Sequence, residues 1–137
     1  MKTNFAPAIL YTLKSSQGIL FQFSDNKRAM SMVNMVKIYF YAPPSHVEAI
    51  NEAMFMAGAG KIGRYSHCAW QVLGEGQFMP LEGNDAFVGT KNCLEKIAEY
   101  KVEMVCETIV LSQVITALKK AHPYEEPAYQ VCRIEDI

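Results

Sequence analysis

The stretch Val36-Lys37-Ile38-Tyr39-Phe40-Tyr41-Ala42-Pro43-Pro44-Ser45-His46-Val47-Glu48 decides the fold. Val36, Ile38 and Phe40 alternate with Lys37, Tyr39 and Tyr41, the period of two that marks a strand with one apolar face. Pro43-Pro44 ends it, because proline brings no backbone donor to a ladder. Ser45 stands three residues before Glu48, the spacing of a capping box, which predicts a helix start there. Val47, Ile50, Met54 and Ala57 follow at helical spacing, so the helix lays one apolar stripe on a sheet. Gly58-Ala59-Gly60 stops it, since glycine takes the left-handed conformation at low cost.

Outward from this unit, a second strand is expected from about Ser66 to Leu73, with Cys68, Trp70 and Val72 facing the core. Gly74-Glu75-Gly76 is expected to turn the chain so that Gln77 to Leu81 returns as the other arm of a hairpin. Glu82 to Thr90 is a loop by composition. Leu94 to Cys106 alternates over its length and predicts a long strand, although its first residues would also suit a helix. A second helix spans about Ser112 to Ala121, with Leu111, Val114, Ile115, Leu118 and Ala121 as its buried stripe. Lys119 and Lys120 complement its dipole, and Pro123 stops it. Ala128 to Ile134 reads as the last strand. The order strand, helix, strand, strand, helix, strand predicts an α+β, ferredoxin-like βαββαβ fold: an antiparallel sheet with two helices on one face. Nothing in the pattern covers the other face, where Tyr39, Tyr41, Ala69 and Val105 are expected, so a subunit partner is expected there.

The chain has 137 residues, enough for one domain and not for two. Residues 34–137 carry the pattern above. Residues 1–33 form a leader in which Ala8 to Leu13 and Ile19 to Phe23 flank a Lys-Ser-Ser-Gln-Gly turn, as in a β-hairpin. A polar stretch from Ser24 to Arg28 follows, and then Met30, Met32 and Met35 come close together. Two readings stay open: a real hairpin added to the fold, or a translation start at one of these methionines. A net charge of -1 offers no broad attraction to nucleic acid or to an anionic membrane. No apolar run approaches the roughly 20 residues that span a bilayer. Cys68, Cys93, Cys106 and Cys132 are widely spaced, which predicts reduced thiols and a cytoplasmic protein.

Two segments could carry chemistry. His122-Pro123-Tyr124-Glu125-Glu126-Pro127 packs an imidazole, a phenol and two carboxylates between prolines that restrict the backbone. Taken alone it reads first as a rigid helix-to-strand corner with solvated charges, and second as a place to bind a cation or polar ligand. Gly58-Ala59-Gly60-Lys61-Ile62-Gly63-Arg64-Tyr65 resembles a phosphate-cradling loop only loosely. It follows a helix rather than opening one, and lacks the Gly-Lys-Ser/Thr ending of a P-loop. His46 reads as a surface residue, and the row Glu99, Lys101, Glu103 as the wet side of a strand. No nucleophilic triad or Gly-x-Ser-x-Gly elbow can be assembled, so no enzyme is expected.

The segments from Gly58 through Trp70, from Gly74 through Pro80 and from Ala121 through Tyr129 together resemble one domain type, the insert domain of the Nif-three-like proteins. The likeness spans about residues 35 to 136. It implies a fold like the signalling protein PII and the divalent-cation tolerance protein CutA, both usually trimeric, and His122-Pro123-Tyr124-Glu125 is similar to a motif near the end of CutA proteins. Full-length Nif-three-like proteins bind two metal ions through the domains flanking the insert. This sequence has no counterpart of those domains, so neither that dimetal site nor a hydrolase activity is implied. The resulting expectation is a non-catalytic homo-oligomer, in trimeric form, that binds a small ligand or divalent metal ion at subunit clefts. His122, Tyr124, Glu125 and Glu126 would line the cleft with Tyr65 and Arg64 nearby, and His122, Glu125 and Glu126 would be the metal ligands. An assembly module is the alternative, and a small metal-dependent hydrolase a more distant one.

Overall fold

In a computed structural model, which describes residues 35–83, 85 and 87–135 and the backbone of 12–15 and 18–21, the first elements are strands β1 (Thr12–Ser15) and β2 (Gly18–Phe21). They pair antiparallel, from Thr12 opposite Phe21 to Ser15 opposite Gly18. The boundary at residues 33 and 34, the polar stretch 24–28, and Met30 and Met32 lie outside the described residues.

The expected βαββαβ order follows. It comprises β3 (Met35–Ala42), α1 (Val47–Met56), β4 (Ala69–Phe78), β5 (Glu95–Glu107), a 3-10 turn (Thr108–Val110), α2 (Leu111–Ala121) and β6 (Tyr129–Arg133). The strands lie in the order β4-β5-β3-β6, each pair antiparallel. β3 is therefore internal, and its alternation decides what the sheet buries. Val36, Ile38, Phe40 and Ala42 point to the helices and meet Val102, Met104 and Cys106 of β5, Val47, Ile50 and Met54 of α1, and Val114 and Leu118 of α2. Phe40, Ile38, Ile50 and Leu118 are fully buried, each contributing about 1.5–3 kcal/mol of transfer free energy. The stripes expected on both helices are the ones that pack.

Three local expectations are corrected. The capping box does not form: the N-cap of α1 is His46, without a side-chain cap bond. Instead the Pro43 carbonyl accepts the N–H groups of His46 (3.0 Å) and Val47 (3.2 Å), so a turn leads into the helix, and the Ser45 hydroxyl bonds His46 Nδ1 at 2.8 Å. The stop at the other end is as expected, with Gly58 at φ 109° and the Ala59 N–H bonded to the Met54 carbonyl at 3.0 Å.

The second correction concerns β4, which begins at Ala69 because His67 takes a left-handed φ of 57° and cannot continue a strand. It then runs unbroken through Gly74-Glu75-Gly76, which pair with Glu99, Ala98 and Ile97 rather than turning. Glycine has a steric use here: a Cβ on Gly76 would collide with the Glu99 carboxylate.

The third correction is one of faces. Cross-strand partners share a face, and Trp70 stands opposite Glu103 while Val72 stands opposite Lys101. These two residues thus lie on the open face, and Trp70 is 60% exposed. Ala69, opposite Met104, and Gln71, opposite Val102, lie on the helix side. There Gln71 accepts a hydrogen bond from the Asn51 amide of α1 at 3.1 Å. Tyr39, Tyr41 and Val105 are on the open face as expected, and Ala69 is not.

Candidate functional site

α2 ends at Ala121, and the next residue turns back over the sheet. His122 is 7% exposed. Its Nδ1 accepts the Tyr124 N–H at 3.1 Å, so the proton sits on Nε2, which donates to the Tyr41 carbonyl at 2.8 Å. Both ring nitrogens are thereby spent on backbone groups, and the imidazole rivets the corner to β3. Burial pushes its pKa below the usual value, partly offset by the Tyr41 bond, so it is held neutral. Tyr124 packs edge-on against His122 at 4.7 Å and against Phe87 at 6.1 Å. Its hydroxyl is buried beside the Glu99 carboxylate, its nearest acceptor, without meeting full hydrogen-bond geometry. Burial first, and the charge of Glu99 second, push the phenol far up its scale, so it stays a potential donor.

The Glu125 carboxylate accepts the Asp85 N–H at 3.3 Å, which ties the loop after β4 to the corner. Phe87 reinforces this contact through Tyr124, and its ring also lies 5.7 Å from that of His46 at the start of α1. Corner, loop and sheet enclose a cleft of about 680 Å³ on the open face. Tyr41, Val72, Glu99 and Lys101 form its floor, Phe78 to Pro80 with Phe87 and Val88 one wall, and Tyr124 to Glu126 the other. The walls are mostly apolar and the charges acidic. Lys101 is turned to Glu103 at 2.8 Å, and Glu75 is paired with Lys96 at 3.3 Å. Glu99, Glu125 and Glu126 have no ion-pair partner among the described residues.

The structure therefore brings Tyr124, Glu125 and Glu126 together around one cleft, with His122 behind Tyr124 as its support. Arg64 and Tyr65 do not line it. Their loop is held at the other end of the sheet, where the Gly60 N–H bonds the Val105 carbonyl at 2.8 Å and Ile62 and Tyr65 exchange backbone bonds of 3.0 and 2.9 Å. A metal-ligand set of His122, Glu125 and Glu126 does not fit one chain. The imidazole has no free nitrogen, and no three His, Cys, Asp or Glu side chains converge among the described residues. Glu99 and Lys101 were read from the sequence as a solvated strand face. The signal that could have placed Glu99 is Gly76, a glycine inside a strand, which often marks a close approach by another group.

No protein-family model matches the chain. A Mycobacterium leprae protein named GTP cyclohydrolase 1 type 2 homolog is 44% identical over 102 residues, 74% of this chain and 26% of that protein. Among solved structures, a Bacillus cereus protein related to NIF3 superposes with a TM-score of 0.66 at 37% identity, covering 75% of this chain and 26% of the other. The periplasmic divalent cation tolerance protein CutA from Archaeoglobus fulgidus gives a TM-score of 0.55 at 17% identity, covering 74% and 85%, a likeness of fold. The fold is therefore α+β and ferredoxin-like, of the kind seen in CutA and PII-like proteins. The matched segment is thus homologous to part of the NIF3-family proteins, and the chain spans about a quarter of the length of the curated relatives it matches.

Proposed function

We propose that this chain is a non-catalytic, self-associating PII/CutA-like module, trimeric in the form its resemblance implies, that holds a small ligand in a cleft at a subunit boundary. The observation that carries the reading is the cleft itself, apolar-walled, with a buried Tyr124 hydroxyl beside Glu99 in its wall. It opens on a sheet face whose edge is apolar rather than polar. Such a combination of an apolar pocket and a few convergent polar groups is the usual form of a ligand site. An uncovered aromatic surface such as Trp70 supports a subunit contact. The ligand has an apolar body and a donor or cationic group to meet the carboxylates. The commitment of both His122 nitrogens argues against a metal ion held by one chain. Four free cysteines suit a reducing compartment, so we place the protein in the cytoplasm. The cyclohydrolase in the relatives' name belongs to proteins of which this chain matches 26%, and the proposal carries over the module and not the activity.

Light scattering on the purified protein combined with calorimetric screening of small organic cations, nucleotides and divalent metals tests the reading. A monomer that binds none of these defeats it. A pure assembly module, favoured by the exposed Trp70, is separated by the Glu99→Gln variant, which changes the floor of the cleft. Lost ligand binding in an intact oligomer supports the ligand site, whereas an oligomer that binds none of these probes with or without the change supports assembly alone.

A further inference from the structure

Loop 61–65 and the mouth of the cleft are complementary surfaces that no single copy can join. The loop presents Lys61 and Arg64, exposed and without an ion-pair partner among the described residues. Beside them stand Ile62 and Tyr65, the latter 75% exposed. The mouth presents Glu125 and Glu126, likewise exposed and unpaired, beside Met79 and Phe87, the latter 53% exposed. Two cations with two apolar side chains thus face two carboxylates with two apolar side chains. Within one chain they are kept apart by the sheet. The loop is bonded to Val105 and the cleft floor includes Glu99, six residues back along β5, or about 20 Å at the rise of a strand.

We infer that loop 61–65 of one copy seats on the mouth of the neighbouring copy's cleft, with Arg64 and Lys61 against Glu126 and Glu125 and with Tyr65 and Ile62 on Phe87 and Met79. This rests on the self-association proposed above and says which surfaces meet. The contact is head-to-tail, each copy offering its loop to one neighbour and its cleft to another, which generates a closed ring when the rotation closes. It is continuous with the open face, because the cleft opens there. The loop needs little ordering on contact, since the Ile62–Tyr65 bridge and the Gly60 bond already hold it. A copy so placed completes the ligand site by supplying Arg64 and Tyr65 at its rim.

Charge reversal tests this on the full chain. Arg64→Glu and Glu126→Lys change exposed side chains that make no bond among the described residues, so each is expected to fold. Sedimentation equilibrium is expected to show the assembly weakened about tenfold by either change, because like charges then face each other. The Arg64→Glu/Glu126→Lys combination is expected to return to within about threefold of the unmodified protein, a coupling that only facing residues produce. An unmodified protein that stays monomeric at every concentration sinks both the proposed assembly and this contact. An assembled protein whose single reversals change nothing, or whose combination is no better than either, sinks the contact and leaves the assembly standing.

Discussion

The two faces of the four-stranded sheet follow opposite rules. Under the helices the apolar residues sit in the middle, on β3 and β5, and the edge strand β4 contributes the polar Gln71 bonded to Asn51. On the open face the middle mixes charges with tyrosines, Glu103 being held by both Lys37 and Lys101 beside Tyr39 and Tyr41, and the apolar side chains Trp70 and Val72 lie at the edge. The contrast teaches that β4 is not built to close the core of its own chain. One face stabilises the monomer, and the other has the composition of a surface meant to be covered.

The sharpest way to break the contrast is to damage the helix side. Phe40→Ala is expected to cost about 3–5 kcal/mol, read from urea unfolding, and should leave the domain partly unfolded at ambient temperature. His122→Ala removes the rivet between the corner and β3 and leaves the Tyr124 N–H and the Tyr41 carbonyl without their partner, an expected loss of about 1–3 kcal/mol. The same residue gives a pH signature. Its folded pKa lies below the value of the unfolded chain, near 6.5, so the fold favours the neutral ring. Stability from this source is present above about pH 6.5 and declines as the pH falls through the folded pKa. Urea midpoints from pH 7.5 to 5 should show the decline, reduced in His122→Asn.

Smaller effects sharpen the other side of the contrast. Gly76→Ala pushes the flexible end of Glu99 out of the cleft floor, with ligand affinity expected to fall while stability changes by no more than about 0.5 kcal/mol. Trp70→Ser should change the unfolding of the dissociated chain by no more than about 0.5 kcal/mol while weakening assembly. Thiol labelling adds a map. Cys132 pairs with Lys37 on the open face and should be shielded on assembly, whereas the exposed Cys93, in the turn before β5, stays reactive. Cys106, buried and with its thiol pKa raised by burial, should label only on unfolding.

Element order and both helix stripes were legible because β3, α1, β5 and α2 are long, strongly periodic and buried by their own chain. The errors cluster at β4. Its side chains alternate, but the rule that larger apolar residues face inward assumes a face that the monomer covers, and for Trp70 and Val72 that assumption fails. The glycines at 74 and 76 carry the usual mark of a turn, and only the register against Glu99 reveals them as spacers. The corner was legible as a polar segment between prolines. That His122 would be spent on the Tyr41 carbonyl was not, because its partner lies 81 residues away. The remoteness of Arg64 and Tyr65 from the corner was invisible for the same reason.

The position of β3 also governs how this molecule is made. It is the first strand of the sheet to be synthesised, yet both of its neighbours come late, β5 from residue 95 and β6 from residue 129. Its edges have no ladder to join until β5 and then β6 have been synthesised. Cooperative collapse of this sheet therefore waits for Tyr129 to Arg133, and products that stop before Tyr129 would leave one edge of that strand bare and prone to clump.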